Sequence, residues 1–341
     1  MHEKSDTGAL TDAATGSSSK TDSVSGVTIG VDVGGTKIAA GVVDRHGTIL
    51  RTARRPTPRH DSSAVLAAVA DVVNELQADV DGTVIGVGVG VAGGVDQSRS
   101  VVYFAPNLAW THVPVRTVLE AATGLACVVE NDGAAAAWAE TRFGAGVGLH
   151  HVVMVTVGTG IGGGIVVDGR VLRGAHGVAA EIGHLNAVPN GRLCGCGRTG
   201  CWEQYASGNA LVREARELAA ERRPEATVLL ELGDGTPEGV QGSHITDAAR
   251  RGDPIAIEAF ANVGAWLGRG LANLTAIVDP DAFVIGGGVS DAGDLILASA
   301  QQTLSQSIFG GTNRPHPELV LAKLGNDAGI VGAANLARVS R

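Results

Sequence analysis

The stretch Val27-Thr-Ile-Gly-Val-Asp32-Val-Gly34-Gly35-Thr36-Lys37-Ile-Ala-Ala-Gly-Val-Val-Asp44 decides the fold. Its two apolar runs of strand length, joined by a Gly-Gly turn, read as a β-hairpin, with a third strand after the His46-Gly47 turn. The same opening returns at His151-Val-Val-Met-Val-Thr-Val157, which leads into Gly158-Thr-Gly160-Ile-Gly162-Gly-Gly164 and a return strand to Val167. There the Asp168-Gly169 turn precedes a third strand near Val171. One hairpin start with a glycine-rich turn in each half predicts a duplicated α/β unit, the two halves facing each other across a cleft.

Between these openings, Asp61 or Ser62 caps a helix to about Ala78, with Leu66, Val69, Val73 and Leu76 on one face. The run Val84-Ile-Gly-Val-Gly-Val-Gly-Val-Ala92 has strand length and ends at Gly93-Gly94. Ala105-Pro106-Asn107-Leu-Ala-Trp110 reads as a loop, Val115 to Ala122 as a helix and Cys127-Val-Val-Glu-Asn131 as a strand, with Asp132 opening the next helix. In the second half a mainly helical stretch contains a polar loop at Gly233 to Ser243. A long helix then runs from Asp253-Pro254 to Asp279-Pro280, proline in its first turn and proline at its stop. The strand Ala282-Phe-Val-Ile285, the turn Gly286-Gly-Gly288-Val-Ser290, a helix, the strand Leu319-Val-Leu-Ala322 and a helix from near Asp327 complete the pattern. Three strands, helix, strand, helix, strand in each half is an α/β arrangement with the ligand site at strand ends.

At 341 residues the chain has room for two cores. A formal charge of −9 argues against nucleic acid or anionic membrane as partner, and the four tryptophans are too scattered for a base-stacking platform. No apolar run reaches membrane-spanning length, and residues 1–26 form a polar tail without a signal-peptide core, which predicts disorder there and a cytoplasmic protein. His46, His60, His150 and His151 lack a partner pattern and read as surface residues, and Cys127 reads as a small core residue.

Three glycine-rich turns recur: Asp32-Val-Gly34-Gly35-Thr36-Lys37, Gly158-Thr159-Gly160 with the glycines that follow, and Gly286-Gly287-Gly288. Each alone is an ordinary turn; together they can present backbone N–H groups to phosphate oxygens, because no Cβ blocks the approach. Asp32, beside the first turn, is placed to hold a water of phosphate-bound Mg2+. The chain has neither a P-loop nor a dinucleotide fingerprint. Asp132 has two readings, a helix cap or the general base that accepts a hydroxyl proton during phosphoryl transfer. Asn107 and Asn131 are turn formers or ligands of sugar hydroxyls.

Glu181-Ile-Gly-His184 is followed by Asn190-Gly-Arg-Leu-Cys194-Gly-Cys196-Gly-Arg-Thr-Gly-Cys201-Trp202-Glu203. One imidazole and three thiols at this spacing suit a closed structural zinc site. A disulfide is the lesser reading, since Cys-x-Cys is poor geometry for a mutual bridge. A metal on this loop also fixes the distance between the flanking carboxylates Glu181 and Glu203.

These motifs occur in the order found in the ROK family (repressors, open reading frames and sugar kinases), which the chain resembles over about residues 27 to 338. The resemblance is carried by Gly30-Val-Asp-Val-Gly-Gly-Thr-Lys37, Tyr103-Phe-Ala-Pro-Asn107, Val129-Glu-Asn-Asp132, Gly158 to Gly164, Glu181-Ile-Gly-His184, Cys194-Gly-Cys196, Gly200-Cys-Trp-Glu-Gln-Tyr-Ala-Ser207 and Gly286-Gly-Gly288. It looks nearest to the bacterial glucokinases of actinobacterial type within that family. The resemblance implies an actin-like ATPase fold of the hexokinase and ribonuclease H-like class, with two α/β domains around a hinged cleft. The expected division is a small domain of 27–143 plus 325–341 and a large one of 144–324 that carries the zinc loop 184–201.

By the same resemblance Asp132 is the base on the sugar 6-hydroxyl. Asn107, Asn131, Glu181, His184 and Glu203 surround the sugar, and His184, Cys194, Cys196 and Cys201 hold Zn2+. The implied reaction is ATP-dependent phosphorylation of glucose by a homodimer or a dimer of dimers. Its alternatives are another hexose, polyphosphate as donor, or a sugar-responsive repressor, for which the polar residues before Val27 supply no helix-turn-helix pattern. Two departures from the family pattern stand out. Gly133-Ala134-Ala135-Ala136 replaces Ala-Asn-Ala-Ala after the aspartate, and Ala92-Gly93 replaces Pro-Gly.

Overall fold

The computed structural model describes residues 26–59 and 61–340, so the tail expected before Gly26, and His60, lie outside the described residues. The first half contains β1 (Val27–Val33), β2 (Lys37–Val43), β3 (Ile49–Pro56), α1 (Ser62–Ala78) and β4 (Val84–Val91). It continues through β5 (Gly94–Val95), β6 (Val102–Ala105), β7 (Trp110–Val113), α2 (Val115–Thr123), β8 (Cys127–Asn131) and α3 (Asp132–Phe143). The second half opens with β9 (Val152–Val157), β10 (Ile161–Val167) and β11 (Arg170–Val171), and then gives α4 (Glu203–Ala206), α5 (Gly208–Glu221), α6 (Thr227–Leu232) and α7 (Gly242–Arg250). It ends with α8 (Pro254–Val278), β12 (Ala282–Gly286), α9 (Asp294–Ser307), β13 (Glu318–Leu321) and α10 (Ala328–Val339).

The duplication expected from the two hairpin starts is visible in the sheets. One sheet has the order β3-β2-β1-β4-β8 and the other β11-β10-β9-β12-β13. In both, the first three strands pair antiparallel and the two added strands pair parallel. The two sheets therefore share one topology and, at the same ends of corresponding strands, one set of turns.

The period-2 run of β4 explains its odd composition. Val87, Val89 and Val91 are buried in the core that α1 and α2 complete. The alternating glycines face the other way, where α10 lies almost on the backbone: a Cβ on Gly88 would sit 1.8 Å from the Ala333 carbonyl oxygen, and one on Gly30 of β1 would sit 1.9 Å from that of Ile330. These glycines are close-packing residues, since any side chain would push α10 off the sheet. In the second half α8 uses the same device, with Gly264 and Gly268 against α9 and Gly270 against the indole of Trp202. Trp202 is buried, and its Nε1 donates to the Trp266 carbonyl at 2.8 Å, so the end of the cysteine loop is plugged into the larger core.

Three sequence expectations need correcting. The loop read at Ala105 to Trp110 is shorter, a 3-10 turn (Pro106–Leu108) and Ala109, and it joins two strands not expected there, β6 and β7, which with β5 form a third sheet. Four-residue strands leave too few positions for alternation to show. Gly162 to Gly164 belong to strand β10 instead of the turn before it, and the polar loop that opens at Gly233 ends at Gln241, where α7 begins. Of the two caps expected for α1, Asp61 is the one used, accepting from the N–H groups of Ser63 and Ala64.

The glycines of β10 meet the start of α3. A Cβ on Gly133 would lie 2.5 Å from the Gly163 carbonyl oxygen, and one on Gly164 would lie 2.6 Å from that of Gly133. The departure at Gly133 thus coincides with backbone-on-backbone contact between the two halves. Gly133→Ala is expected to destabilise the protein by about 1–3 kcal/mol through overpacking. Denaturant titration checks this, and an unchanged midpoint would mean that α3 withdraws from β10 without cost.

Candidate functional site

Asp132 is the first residue of α3, following β8 directly. The cap of that helix is its neighbour: the Asn131 side chain accepts from the Ala134 N–H at 3.0 Å, while its own amide donates to the Gly93 carbonyl at 3.2 Å. The simple capping role weighed for Asp132 therefore falls to Asn131, and the Asp132 carboxylate is left bonded to the Gly133 N–H at 2.8 Å. Burial raises the Asp132 pKa and outweighs that hydrogen bond, which lowers it.

Two further carboxylates stand within electrostatic reach of Asp132, one from each half. Asp32, near the end of β1, has its pKa pushed up to about 6, first by burial and then by the charge of Asp132, against the opposing charge of Lys37. Gly329 at the start of α10 lets Asp32 pack closely, since a Cβ there would lie 3.3 Å from the carboxyl carbon. Glu181 is raised mainly by burial, with Asp132 adding to the shift and His184 opposing it. Glu181 (φ −71°, ψ 58°) lies at the centre of an inverse γ-turn closed by the Ile182 N–H on the Ala180 carbonyl at 2.7 Å. Asn107 enters from the turn between β6 and β7, its Cβ 3.3 Å from where a Cβ on Gly35 would be.

The glycine turns gather at the strand ends. Gly34 closes the first turn by donating to the Lys37 carbonyl at 3.0 Å, and Thr57 clamps it from outside through its hydroxyl on the Gly34 carbonyl at 2.8 Å. In the second half Gly158 bonds to the Gly160 carbonyl at 3.0 Å. The third turn is tied to the same strand, for Val289 donates to the Val157 carbonyl at 2.9 Å, and Gly287 (φ +87°) leaves no room for a Cβ against Val157. Beside Gly158, Thr159 and Gly288 opens a cavity of about 660 Å3, walled by Asn209 and Val212 of α5 and by Thr246 and Asp247 of α7. These helical wall residues were not singled out in the sequence. Four positions from two helices, separated by some thirty residues, form no local motif. The helix start at Ser207-Gly208-Asn209 is the one local signal, with Ser207 capping α5.

The Nδ1 of His184 and the sulfurs of Cys194, Cys196 and Cys201 all lie within 4.8 Å of one another. Cys196 and Cys201 are 3.6 Å apart at sulfur, and Cys194 is 3.7 Å from the His184 nitrogen. A tetrahedral zinc ion with bonds of about 2.3 Å needs ligand separations of about 3.8 Å, so the donor set fits that metal in type, number and spacing. The cysteines are free thiols, which disfavours the disulfide reading. The loop is a small hairpin with bridges Asn186 to Cys201 and Leu193 to Thr199, turned at Gly197 and Gly200, both at positive φ. Glu203 connects it to the glycine turn: one carboxylate oxygen accepts from the Cys194 thiol at 2.9 Å and the other from the Ile161 N–H at 3.4 Å.

Among the described residues no helix is long and apolar enough to cross a membrane. A profile of the ROK family matches residues 28–340. The glucokinase of Streptomyces coelicolor is 51% identical over 92% of this chain and 98% of its own. A crystal structure of a ROK family glucokinase from Streptomyces griseus, in complex with glucose and AMPPNP, is 50% identical and superposes with a TM-score of 0.81, covering 92% of this chain and 99% of that one. The ROK hexokinase of Thermus thermophilus is 36% identical with a TM-score of 0.75, over 92% and 98% of the two chains. With the motifs, the paired sheets and these likenesses in agreement, the chain belongs to the ROK family.

Proposed function

We propose that this protein phosphorylates glucose at its 6-hydroxyl with ATP as donor. The observation that carries the reading is Asp132 at the start of α3, within electrostatic reach both of Asp32 beside the first glycine turn and of Glu181 before the cysteine loop. The likeness to a glucokinase crystallised with glucose and AMPPNP supports the choice of substrates.

In this reading Asn107, Asn131, Glu181, His184 and Glu203 contact the sugar, and Asp132 accepts the 6-hydroxyl proton as the oxygen attacks the terminal phosphorus. Burial raises the basicity of Asp132 toward that task. Backbone N–H groups of Gly34, Gly35, Thr36, Gly158, Thr159 and Gly160 and the charge of Lys37 receive the phosphates, and Gly286, Gly287 and Gly288 line the path to the cavity between α5 and α7, which takes the nucleoside. Mg2+ bound with the nucleotide supplies neutralising charge, and Asp32 holds it through water. Zn2+ on His184, Cys194, Cys196 and Cys201 serves structure: with Nδ1 toward the metal, the other edge of the His184 ring is left for a sugar hydroxyl. The lobes, divided near 144 and 325, close to exclude water, which competes as phosphoryl acceptor. A cytoplasmic homodimer completes the reading.

The test is a coupled assay of the purified protein with Mg-ATP against glucose, mannose, fructose, N-acetylglucosamine and N-acetylmannosamine, repeated with polyphosphate. Glucose with ATP is expected to give the highest kcat/KM. A higher value for another sugar or donor would replace the proposed substrate, and no turnover with any pair would remove the kinase assignment.

A further inference from the structure

The site as read draws Asp132 and Asn131 from the first half of the chain and Glu181 and His184 from the second, so something must set the spacing between them. The chain linking β11 to Glu181 is anchored across that gap by Arg173. Its Nε lies 3.0 Å from one oxygen of Glu130 and 3.1 Å from the other, and its two terminal nitrogens donate to the carbonyls of Gln97 at 2.9 Å, Asp96 at 3.0 Å and Val95 at 3.3 Å. The pair is enclosed, with the Glu130 side chain 2% and that of Arg173 9% exposed. Glu130 is the residue before Asn131 and accepts the Asn131 N–H at 3.0 Å through the oxygen that also faces Arg173.

A second anchor, independent of charge, acts on the same segment. Gly177 (φ +85°) packs so tightly on the turn after β5 that a Cβ would lie 2.4 Å from the Val95 carbonyl oxygen. Two residues past the second anchor the segment closes back on the first through the Ala179 N–H on the Arg173 carbonyl at 3.1 Å, and it ends in the γ-turn that aims Glu181. A buried, multiply bonded arginine is costly to desolvate, and its worth lies in fixing one geometry.

We infer that Arg173 is a positioning residue, a strut that sets the register of Glu181 and His184 against Asn131 and Asp132 through Glu130 and the 95–97 turn. Its partner on the same carboxylate, Arg99, serves as the internal control. Arg99 donates to Glu130 at 3.0 Å and to the Ser340 hydroxyl at 2.7 Å, both outside the 173–181 segment. Each arginine removed takes one charge from Glu130, but only the loss of Arg173 frees the segment.

The inference rests on the proposed sugar site, and its test separates the two. Arg173→Met and Arg99→Met are compared for KM and kcat with glucose and with Mg-ATP, and for hydrogen exchange at the amides of 179–184. Arg173→Met is expected to lower kcat/KM for glucose by about 10- to 100-fold, because a small misplacement of binding groups is amplified at the reacting atoms. The KM for Mg-ATP stays within about twofold of wild type, and Arg99→Met stays within about twofold for both substrates. The 179–184 amides exchange faster in Arg173→Met alone. Equal behaviour of the two variants, or a KM for Mg-ATP that rises with that for glucose, would reduce Arg173 to general stability and overturn the strut. Should Arg173→Met fail to fold, Arg173→Lys keeps the charge but cannot span the carboxylate and the 95–97 carbonyls. It is expected to fall between the two, and wild-type glucose kinetics there would refute the inference. If the wild-type protein does not phosphorylate glucose, the substrate reading fails by itself, and the exchange comparison still decides the strut.

Discussion

Asp132→Asn is expected to fold, to bind glucose and to lose about 10²- to 10⁴-fold in kcat, the range over which a positioned general base contributes. Asparagine preserves shape, and its carbonyl oxygen can keep the bond from the Gly133 N–H that the wild-type carboxylate accepts at 2.8 Å. What it cannot do is take a proton. The direction of the stability change separates this from simple damage. Because burial raises the pKa of Asp132, the folded state holds a proton that the unfolded chain has already released, so ionising the group as pH rises costs stability. Removing the charge is therefore expected to leave stability unchanged below the ordinary aspartate range and to raise it above the folded pKa. The wild-type enzyme is expected to lose turnover as pH falls through a limb displaced upward from that range. Steady-state kinetics across pH with parallel thermal melts test both halves. Substantial turnover in the variant, or an acid limb at an ordinary aspartate pKa, would take Asp132 out of the role of base.

Cys194→Ser should have the second largest effect, and on three readouts together. On the proposed zinc reading, zinc content drops from one per chain toward none, thermal stability falls, and KM for glucose rises. Structural zinc binds with apparent free energies of about 10–16 kcal/mol in zinc-finger peptides, and binding energy of that kind is also folding energy for the segment it closes. No residue of 184–201 is a fully buried member of the main cores, and Trp202 directly after it stays held there by its bond to the Trp266 carbonyl, so the loss is expected to be local, loosening 184–201 while the sheets persist. It reaches the sugar through two short links. His184 follows Glu181 by three residues, and Glu203 follows Cys201 by two and accepts from the Ile161 N–H at the glycine turn at 3.4 Å. Cys127→Ser supplies the comparison, since Cys127 is buried in β8 away from the cluster and its loss should cost stability without metal. Elemental analysis with melts and kinetics on both variants decides it, and a Cys194→Ser protein with full metal content and normal kinetics would refute the role given to the loop.

Much of the site could be read along the chain because its parts are short and contiguous. The β1–β2 hairpin, the Asn131-Asp132 strand-to-helix junction and the Cys-x-Cys-x4-Cys loop each lie within a few residues, where turn chemistry and ligand spacing act. Other parts could not be read that way. The wall of the cavity by α5 and α7 joins residues with no shared motif, and the Arg173–Glu130 pair spans 43 positions. Arg173 carries no local signature, since a lone arginine after a two-residue strand looks like any surface cation, and Glu130, although it lies in the Val129-Glu-Asn-Asp132 motif, gives no sign there of a partner 43 positions away.

By itself the sequence determined the repeated order of strands and helices, the class of fold, the four metal-ligand candidates and the acidic residue at the head of α3. Those follow from local rules: period-2 alternation, caps, turn residues and donor chemistry at fixed spacing. The tertiary structure alone decided that Asn131 caps α3 and leaves the Asp132 carboxylate free of that task, and that Gly30, Gly88 and Gly133 are there for helix-on-strand contact instead of turns. It alone brought Asp32, Asp132 and Glu181 within range of one another. Electrostatic coupling and close packing depend on distance in space, and the chain's own spacing sets that distance only inside a single turn, strand or helix.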